Sequence, residues 1–211
     1  MCSKEFIQQN KLEGRLTAAE LVDRLLFESP RDIDSVDFGL SDPIKEARLV
    51  YDLNRDSRTN VIGTYAGLEL KKCGHTIFVM SDTRRLLYFV KFVDKSYSAL
   101  RGRHVTQIAV WRRAGTPSGL AKHVFWEYLF PIHCTIMTDS MQTAQGRYFW
   151  GDRVQEALQS GHLVYRVNVL KRERSPIRSF DEFEAWRRTV YGAEDKHEQE
   201  RVIITDNPLP P

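Results

Sequence analysis

Hydrophobic positions along this chain change period twice. Near the N-terminus they recur at helical spacing. Thr17 and Glu20 form a capping box ahead of Leu21, Val22, Leu25 and Leu26. A second helix is expected from Asp42, with Pro43 at its first position and Ile44, Ala47 and Tyr51 on one face. From Tyr65 the runs become extended. Strands are expected over 65–72, 76–80 and 86–93, separated at hairpin distances by Cys73-Gly74 and Ser81-Asp82, so antiparallel pairing is the simplest arrangement. A fourth strand over 105–111 enters a Gly/Pro/Ser turn and then a helix over 119–130. The apolar face of that helix holds Leu120, Ala121, Val124, Phe125, Tyr128 and Leu129, and Pro131 is expected to stop it.

The remainder repeats the strand–helix–strand pattern. A fifth strand is expected over 133–138, then a helix over 147–160 with Gly161 as its C-terminal cap, then a strand over 162–169. Residues 171–178 read as a basic linker and 180–191 as a short closing helix. The polar stretch 192–211 reads as a tail, with 202–205 adding an edge strand. The whole predicts an α/β (α+β) fold: a mixed, largely antiparallel twisted sheet with flanking helices. It divides into an N-terminal helical segment (1–60), a core (61–170) and a C-terminal helix with its tail (171–211), together one domain.

Composition changes this picture little. At 211 residues, with 42% hydrophobic and 28% charged positions, the chain can bury a core without disulfides or metals. A net charge of +3 is too small to name a partner, and a nucleic-acid-binding domain carries a denser basic footprint. Three cysteines without framework spacing suit a reducing compartment. The first residues lack the apolar core of a signal peptide, and no run approaches the ~20 residues of a membrane span, so the expectation is cytoplasmic with no membrane partner. Cys73-x-His75 and His133-Cys134 are isolated pairs without the further ligands of a zinc site, so no metal is expected.

The segment that carries chemistry is Val105 to Leu129. A strand feeds a turn holding Gly115 and Gly119, and the turn opens into a helix. Thr116 is placed to cap that helix, with Pro117 at its first position. The free N–H groups near Ser118, Gly119 and Leu120, with the positive end of the helix dipole, suit a pyrophosphate. Arg112 and Arg113 sit beside the turn and can add charge-assisted bonds. The same glycines and proline also serve an ordinary strand–turn–helix connection, and both readings stand. At the end of the fifth strand, Asp139 is a candidate general base, and Asp139 with Ser140 reads equally as a helix cap. His104, beside Arg101 and Arg103, reads as a solvated turn residue.

This order of elements, with Arg112 to Ala121, resembles the GNAT superfamily of N-acetyltransferases over roughly residues 61–169. Arg112 and Gly115 match two fixed positions of that family's Q/R-x-x-G-x-G/A loop. Pro117 stands where its second small residue belongs, and Gly119 compensates if the loop is two residues longer, so the acyl-CoA loop is degenerate. The family's usual tyrosine acid would fall on Ala157, and its asparagine on Trp150. The resemblance implies acetyl-CoA as cofactor, held by Val110, Arg112, Arg113, Gly115, Thr116, Ser118, Gly119 and Leu120 between two strands that splay apart, with Asp139 as base. It implies transfer of an acetyl group to an unidentified amine, on a small molecule or a protein. Two alternatives are a catalytically inactive protein of GNAT shape that binds another macromolecule, and a nucleic-acid module stacking bases on Trp111 or Tyr148.

Overall fold

Alternating strands in the middle of the chain form a meander whose turns are set by glycine. β1 (Asn60–Tyr65) pairs antiparallel with β2 (Leu68–Cys73) through the two-residue loop Ala66-Gly67. Both loop residues have positive φ, 50° and 79°, the requirement of a type I′ hairpin turn. β2 pairs antiparallel with β3 (Thr76–Met80) across Gly74-His75, where Gly74 alone has positive φ, as in a type II′ turn. β3 pairs with β4 (Leu86–Ser96), where Phe78 opposes Phe89. The expected strand over 65–72 is therefore two strands. Ala66-Gly67 breaks it, and a strand begins earlier, at Asn60.

The structure, a computed structural model, describes residues 43–96, 100, 104–138, 144–191 and 199–209. The expected helix after Thr17, and the positions Asp139 and Ser140, lie outside them. Nine strands form an open mixed sheet in the order β1-β2-β3-β4-β5-β6-β9-β7-β8. Two compact units share it, one of Met1–Lys91 with Trp111–Pro117, the other of Phe92–Val110 with Ser118–Pro211.

In the first unit, α1 (Pro43–Arg55) starts at the expected proline. Its buried face runs through Glu46, Val50 and Leu53, not through Tyr51, which is exposed. Val50 and Leu53 pack on Cys73, Phe78, Leu86 and Phe89, with Leu49, Met80 and Trp111 around them. Glu46 is 8% exposed and fully engaged. It accepts the Leu86 N–H at 2.8 Å and the Arg113 guanidinium at 2.6 Å. Arg113 also donates from Nε to the Leu86 carbonyl at 2.7 Å, and its backbone N–H reaches the Leu87 carbonyl at 2.9 Å. One buried carboxylate thus fastens the helix, the start of β4 and the residue following β5.

In the second unit, β5 (His104–Arg112, whose last two residues belong to the first unit) leads to α2. This helix begins α-helical over Leu120–His123, widens to a π-helix over Val124–Leu129, and ends α-helical over Phe130–His133. Pro131 does not stop it. The Phe130 N–H bonds five residues back to the Phe125 carbonyl, and this wider register relieves the clash that a proline ring makes in a regular α-turn. Cys134, at φ 54°, ends the helix, so β6 is only Thr135–Met137 and not the longer strand expected.

α3 (Ala144–Gln159) ends as expected at Gly161. The Gly161 N–H bonds the Leu158 carbonyl and the His162 N–H bonds that of Ala157, a Schellman motif with glycine at φ 80°. β7 (Leu163–Asn168) pairs with β8 (Glu173–Ile177) over the stretch expected as a linker. Pro176 is tolerated because β8 is the last strand of the sheet. α4 (Phe180–Tyr191) matches its expectation. β9 (Glu200–Thr205) is not an edge strand: it lies between β6 and β7, antiparallel to both, and Val202, Ile203 and Ile204 are buried.

A polar network spans α2 and α3. Glu156 accepts from Trp126 Nε1 at 2.7 Å and from Arg153 Nη2 at 3.0 Å, and it pairs with Lys122 at 2.9 Å. Trp126 stacks on His162, whose Nδ1 is 2.6 Å from Asp206, so the same cluster ties the start of β7 to the exit of β9. Burial pushes the Glu156 carboxyl up, but the bonds from Lys122 and Trp126 and the charge of Arg153 outweigh it and hold the group below its ordinary value.

Two outcomes follow. Glu46→Ala leaves the Arg113 charge and the Leu86 N–H without their partner and should cost ~3 kcal/mol in a urea titration. Glu46→Gln keeps an acceptor and should cost less. Because the folded-state pKa of Glu156 is depressed, its stabilisation is complete above the ordinary value of 4.5 and is lost as pH falls through the lowered folded value. Thermal midpoints of wild type and Glu156→Gln should therefore differ most at neutral pH and converge below pH ~4.

Candidate functional site

β5 and β6 run parallel, joined through α2, and they are sheet neighbours as the sequence suggested. Their register is short: Thr106 opposes Ile136 and Gln107 opposes Met137. At the next residue the chain passes to β9 instead. The Thr138 N–H donates to the Val202 carbonyl at 2.9 Å, and the Val202 N–H donates to Thr138 Oγ1 at 3.1 Å. The Thr138 carbonyl is taken by a side chain, Gln107 Nε2, at 3.0 Å. A side-chain amide from the middle of β5 thus stands where a backbone pairing would continue, at the carboxyl end of β6.

Gln107 is 6% exposed, and its Oε1 is buried without a hydrogen-bond partner among the described residues. The amide orientation is fixed by chemistry, since only the nitrogen can donate to the Thr138 carbonyl. The oxygen therefore faces away from it. Sequence reasoning passed over Gln107, although a glutamine inside the apolar run Val105 to Trp111 is a buried polar group that needs partners. On the other face of the sheet, Thr106 donates to Asp94 at 2.6 Å, and His133 lies 3.5 Å from the same carboxylate with its ring against Phe92.

The loop after β5 divides between the two units at Pro117, and each part is described by itself. In the first unit Arg112 is exposed, with no side-chain partner among the described residues. Arg113 is engaged by Glu46 and Leu86 and lies over the Trp111 ring at 5.4 Å. Gly115, at φ 84°, closes a turn in which the Thr116 N–H bonds the Arg113 carbonyl at 3.2 Å. A side chain at Gly115 would meet nothing within 4 Å, so the space before it is open. The Thr116 hydroxyl lies 2.8 Å from the Leu87 carbonyl and 2.7 Å from that of Arg113, both acceptors, so its one proton is already used.

In the second unit the helix starts later than expected. Thr116 is not its cap, and Pro117 is not its first residue. Gly119, at φ 81°, is the N-cap, and the first helical bond runs from the His123 N–H to the Gly119 carbonyl. Thr116 fails as a cap because its hydroxyl is held by the carbonyls of Leu87 and Arg113. The N–H groups of Leu120, Ala121 and Lys122 precede the first helical bond, as helix geometry requires. Ser118 and Gly119 are exposed, the Leu120 side chain is buried, and Val110 is half-buried on β5. His104 opens β5 and is exposed, as expected.

Of the aromatic residues weighed as stacking surfaces, Tyr148 is 71% exposed, while Trp111 is half-buried beneath Arg113. Phe149 and Trp150 pack edge-on against Phe125. Among the described residues no three His, Cys, Asp or Glu side chains gather as metal ligands, and no helix is long and apolar enough to cross a membrane. Models of known protein families and curated proteins give no match to this sequence.

Proposed function

We propose that this chain has a GNAT-like fold and acts as an acyl-CoA-dependent N-acetyltransferase-like protein, passing an acetyl group from acetyl-CoA to an amine. The observation that carries this reading is the short parallel pairing of β5 and β6, which ends at Gln107 and Met137 as Thr138 turns to β9. In the resemblance these strands stand for the fourth and fifth of the family, which splay around the acyl-pantetheine arm. Bound acetyl-CoA would supply an activated acyl group as a thioester.

The residues fit that group in part. Arg112 is free to meet a phosphate, Gly115 leaves open space in front of the backbone, and the first-turn N–H groups from Leu120 onward are donors near a helix N-terminus. Asp139, one residue past Thr138 in the chain, would take the proton from the acceptor amine.

One observation favours a second reading, a catalytically inactive protein of GNAT shape that docks on another macromolecule. Arg113 and Thr116, two side chains assigned to the pyrophosphate, are held by Glu46, Leu86, Leu87 and the turn itself.

Thermal denaturation with acetyl-CoA separates the two. Binding at a hundredfold excess over Kd should raise the midpoint by roughly 5–10 °C in a protein of this size. Arg112→Ala should reduce that shift without lowering the midpoint of the free protein, whereas Arg113→Ala should lower the free midpoint through loss of the Glu46 pair. No shift with wild type would favour the inactive scaffold. Given binding, Asp139→Asn should slow acetyl transfer to a panel of amines by ~100-fold while leaving stability unchanged, since asparagine caps a helix as well as aspartate does. An unchanged rate would assign the base elsewhere.

A further inference from the structure

Between α4 and one face of β7, β8 and β9 the second unit holds a cavity of about 270 Å³. That volume falls just below the ~300–1,000 Å³ of sites for drug-sized ligands and suits one small molecule. From α4 it is lined by Trp186 and Val190, both buried, and by Thr189, whose hydroxyl donates to the Trp186 carbonyl at 2.7 Å. The lining from the sheet is charged, with both signs present. Glu173, Asn168 and Glu200 stand in register across β8, β7 and β9, and two residues back along β7 Arg166 stands opposite Ser175. Alternate residues share a face, so the two rows lie roughly 7 Å apart on the same side of the sheet. Arg166 and Glu173 are exposed, and neither has a hydrogen bond or ion pair among the described residues. Glu200 is half-buried, and a neutral group alone holds it: Asn168 Nδ2 donates to its Oε1 at 2.7 Å, while Asn168 Oδ1 accepts the Lys171 N–H at 2.8 Å. A carboxylate withdrawn from water calls for a cation, and none pairs with Glu200 among the described residues.

Charges of opposite sign thus line one cavity without meeting each other. With Arg174 added, the lining holds two arginines and two glutamates, so it favours neither a simple anion nor a simple cation. A ligand that carries both charges is matched at both. We infer that this cavity binds a free amino acid with an apolar side chain. Its carboxylate meets Arg166 and the Ser175 hydroxyl, which has no partner among the described residues. Its ammonium group lies between Glu173 and Glu200, and its side chain packs on Trp186 and Val190. In the sheet β9 separates β7 and β8 from β6, and the inference does not depend on the acetyl-CoA reading.

Isothermal titration of the full chain with L-phenylalanine tests this beside two analogues that each lack one charge. Phenethylamine has no carboxylate, and hydrocinnamate has no ammonium group. Each should bind wild type at least ~10-fold more weakly than phenylalanine, the equivalent of one lost charge-assisted hydrogen bond. In Arg166→Gln the preference for phenylalanine over phenethylamine should disappear, while the preference over hydrocinnamate remains. In Glu173→Gln the preference over hydrocinnamate should narrow instead. Both positions are exposed, and each readout is a ratio within one protein, so a small loss of stability does not enter it. If wild type binds no phenylalanine, or binds the three ligands equally, these charges are solvated surface groups and the inference is overturned. It also fails if Arg166→Gln still prefers phenylalanine to phenethylamine as wild type does.

Discussion

Glu46 is the point on which the first unit turns. A carboxylate this deeply buried is costly unless its lone pairs are used, and here a backbone N–H and a guanidinium use them. The pair is not an isolated ion bridge. Arg113 donates from Nε to the Leu86 carbonyl, and its own N–H reaches Leu87, so Leu86 is gripped on both of its backbone hydrogen-bonding groups. The consequence runs into the loop. With Arg113 fixed, the turn closed at Gly115 and the hydroxyl of Thr116 held by nearby carbonyls, the path of the chain after β5 is set from its base. Two adjacent arginines thereby take opposite roles: Arg113 holds the scaffold, and Arg112 remains exposed.

In the second unit the comparable constraint is the shortness of β6. Three residues cannot anchor a strand by β5 alone, and β9 provides the rest of its pairing, from Thr135 opposite Thr205 to Met137 opposite Ile203. The hydroxyls of Thr135 and Thr205, 2.8 Å apart, join the two strands again at their lower end. Because β9 takes over at Thr138, β5 and β6 are free to end their pairing early without leaving the Thr138 backbone unsatisfied. Gln107 completes that accounting on the carbonyl side.

Much of this was legible in the sequence where a signal was local. Gly161 announced a helix end because only a residue at ease with positive φ closes a Schellman motif there, and Pro43 announced a helix start because it lacks a donor that the first turn does not need. The element order from β2 to β7 followed from hydrophobic period. What failed depended on distant partners. Pro131 looked like a stop because the π register that accommodates it cannot be read from composition. The run Val202 to Thr205 looked like an edge, yet a strand apolar on both faces is better placed between neighbours. Pro176 hid β8, and Tyr51 was assigned to the wrong face of α1 because Glu46, a charged residue, occupies the buried stripe. In the turn after β5, the positive-φ glycines Gly115 and Gly119 were legible from turn chemistry. Thr116 was misassigned because the carbonyls that hold it belong to β4 and to its own turn.

The polar groups of the protein differ in how completely they are matched. Glu46, buried, and Glu156, half-buried, each meet donors from two elements, and such networks rigidify what they join. At Gln107 the matching stops one bond short. Proteins retain costly, unsatisfied groups where something other than stability is selected, and they offset the cost elsewhere in the fold. The Glu46 network holds α1 to β4, and the Glu156 network holds α2 to α3.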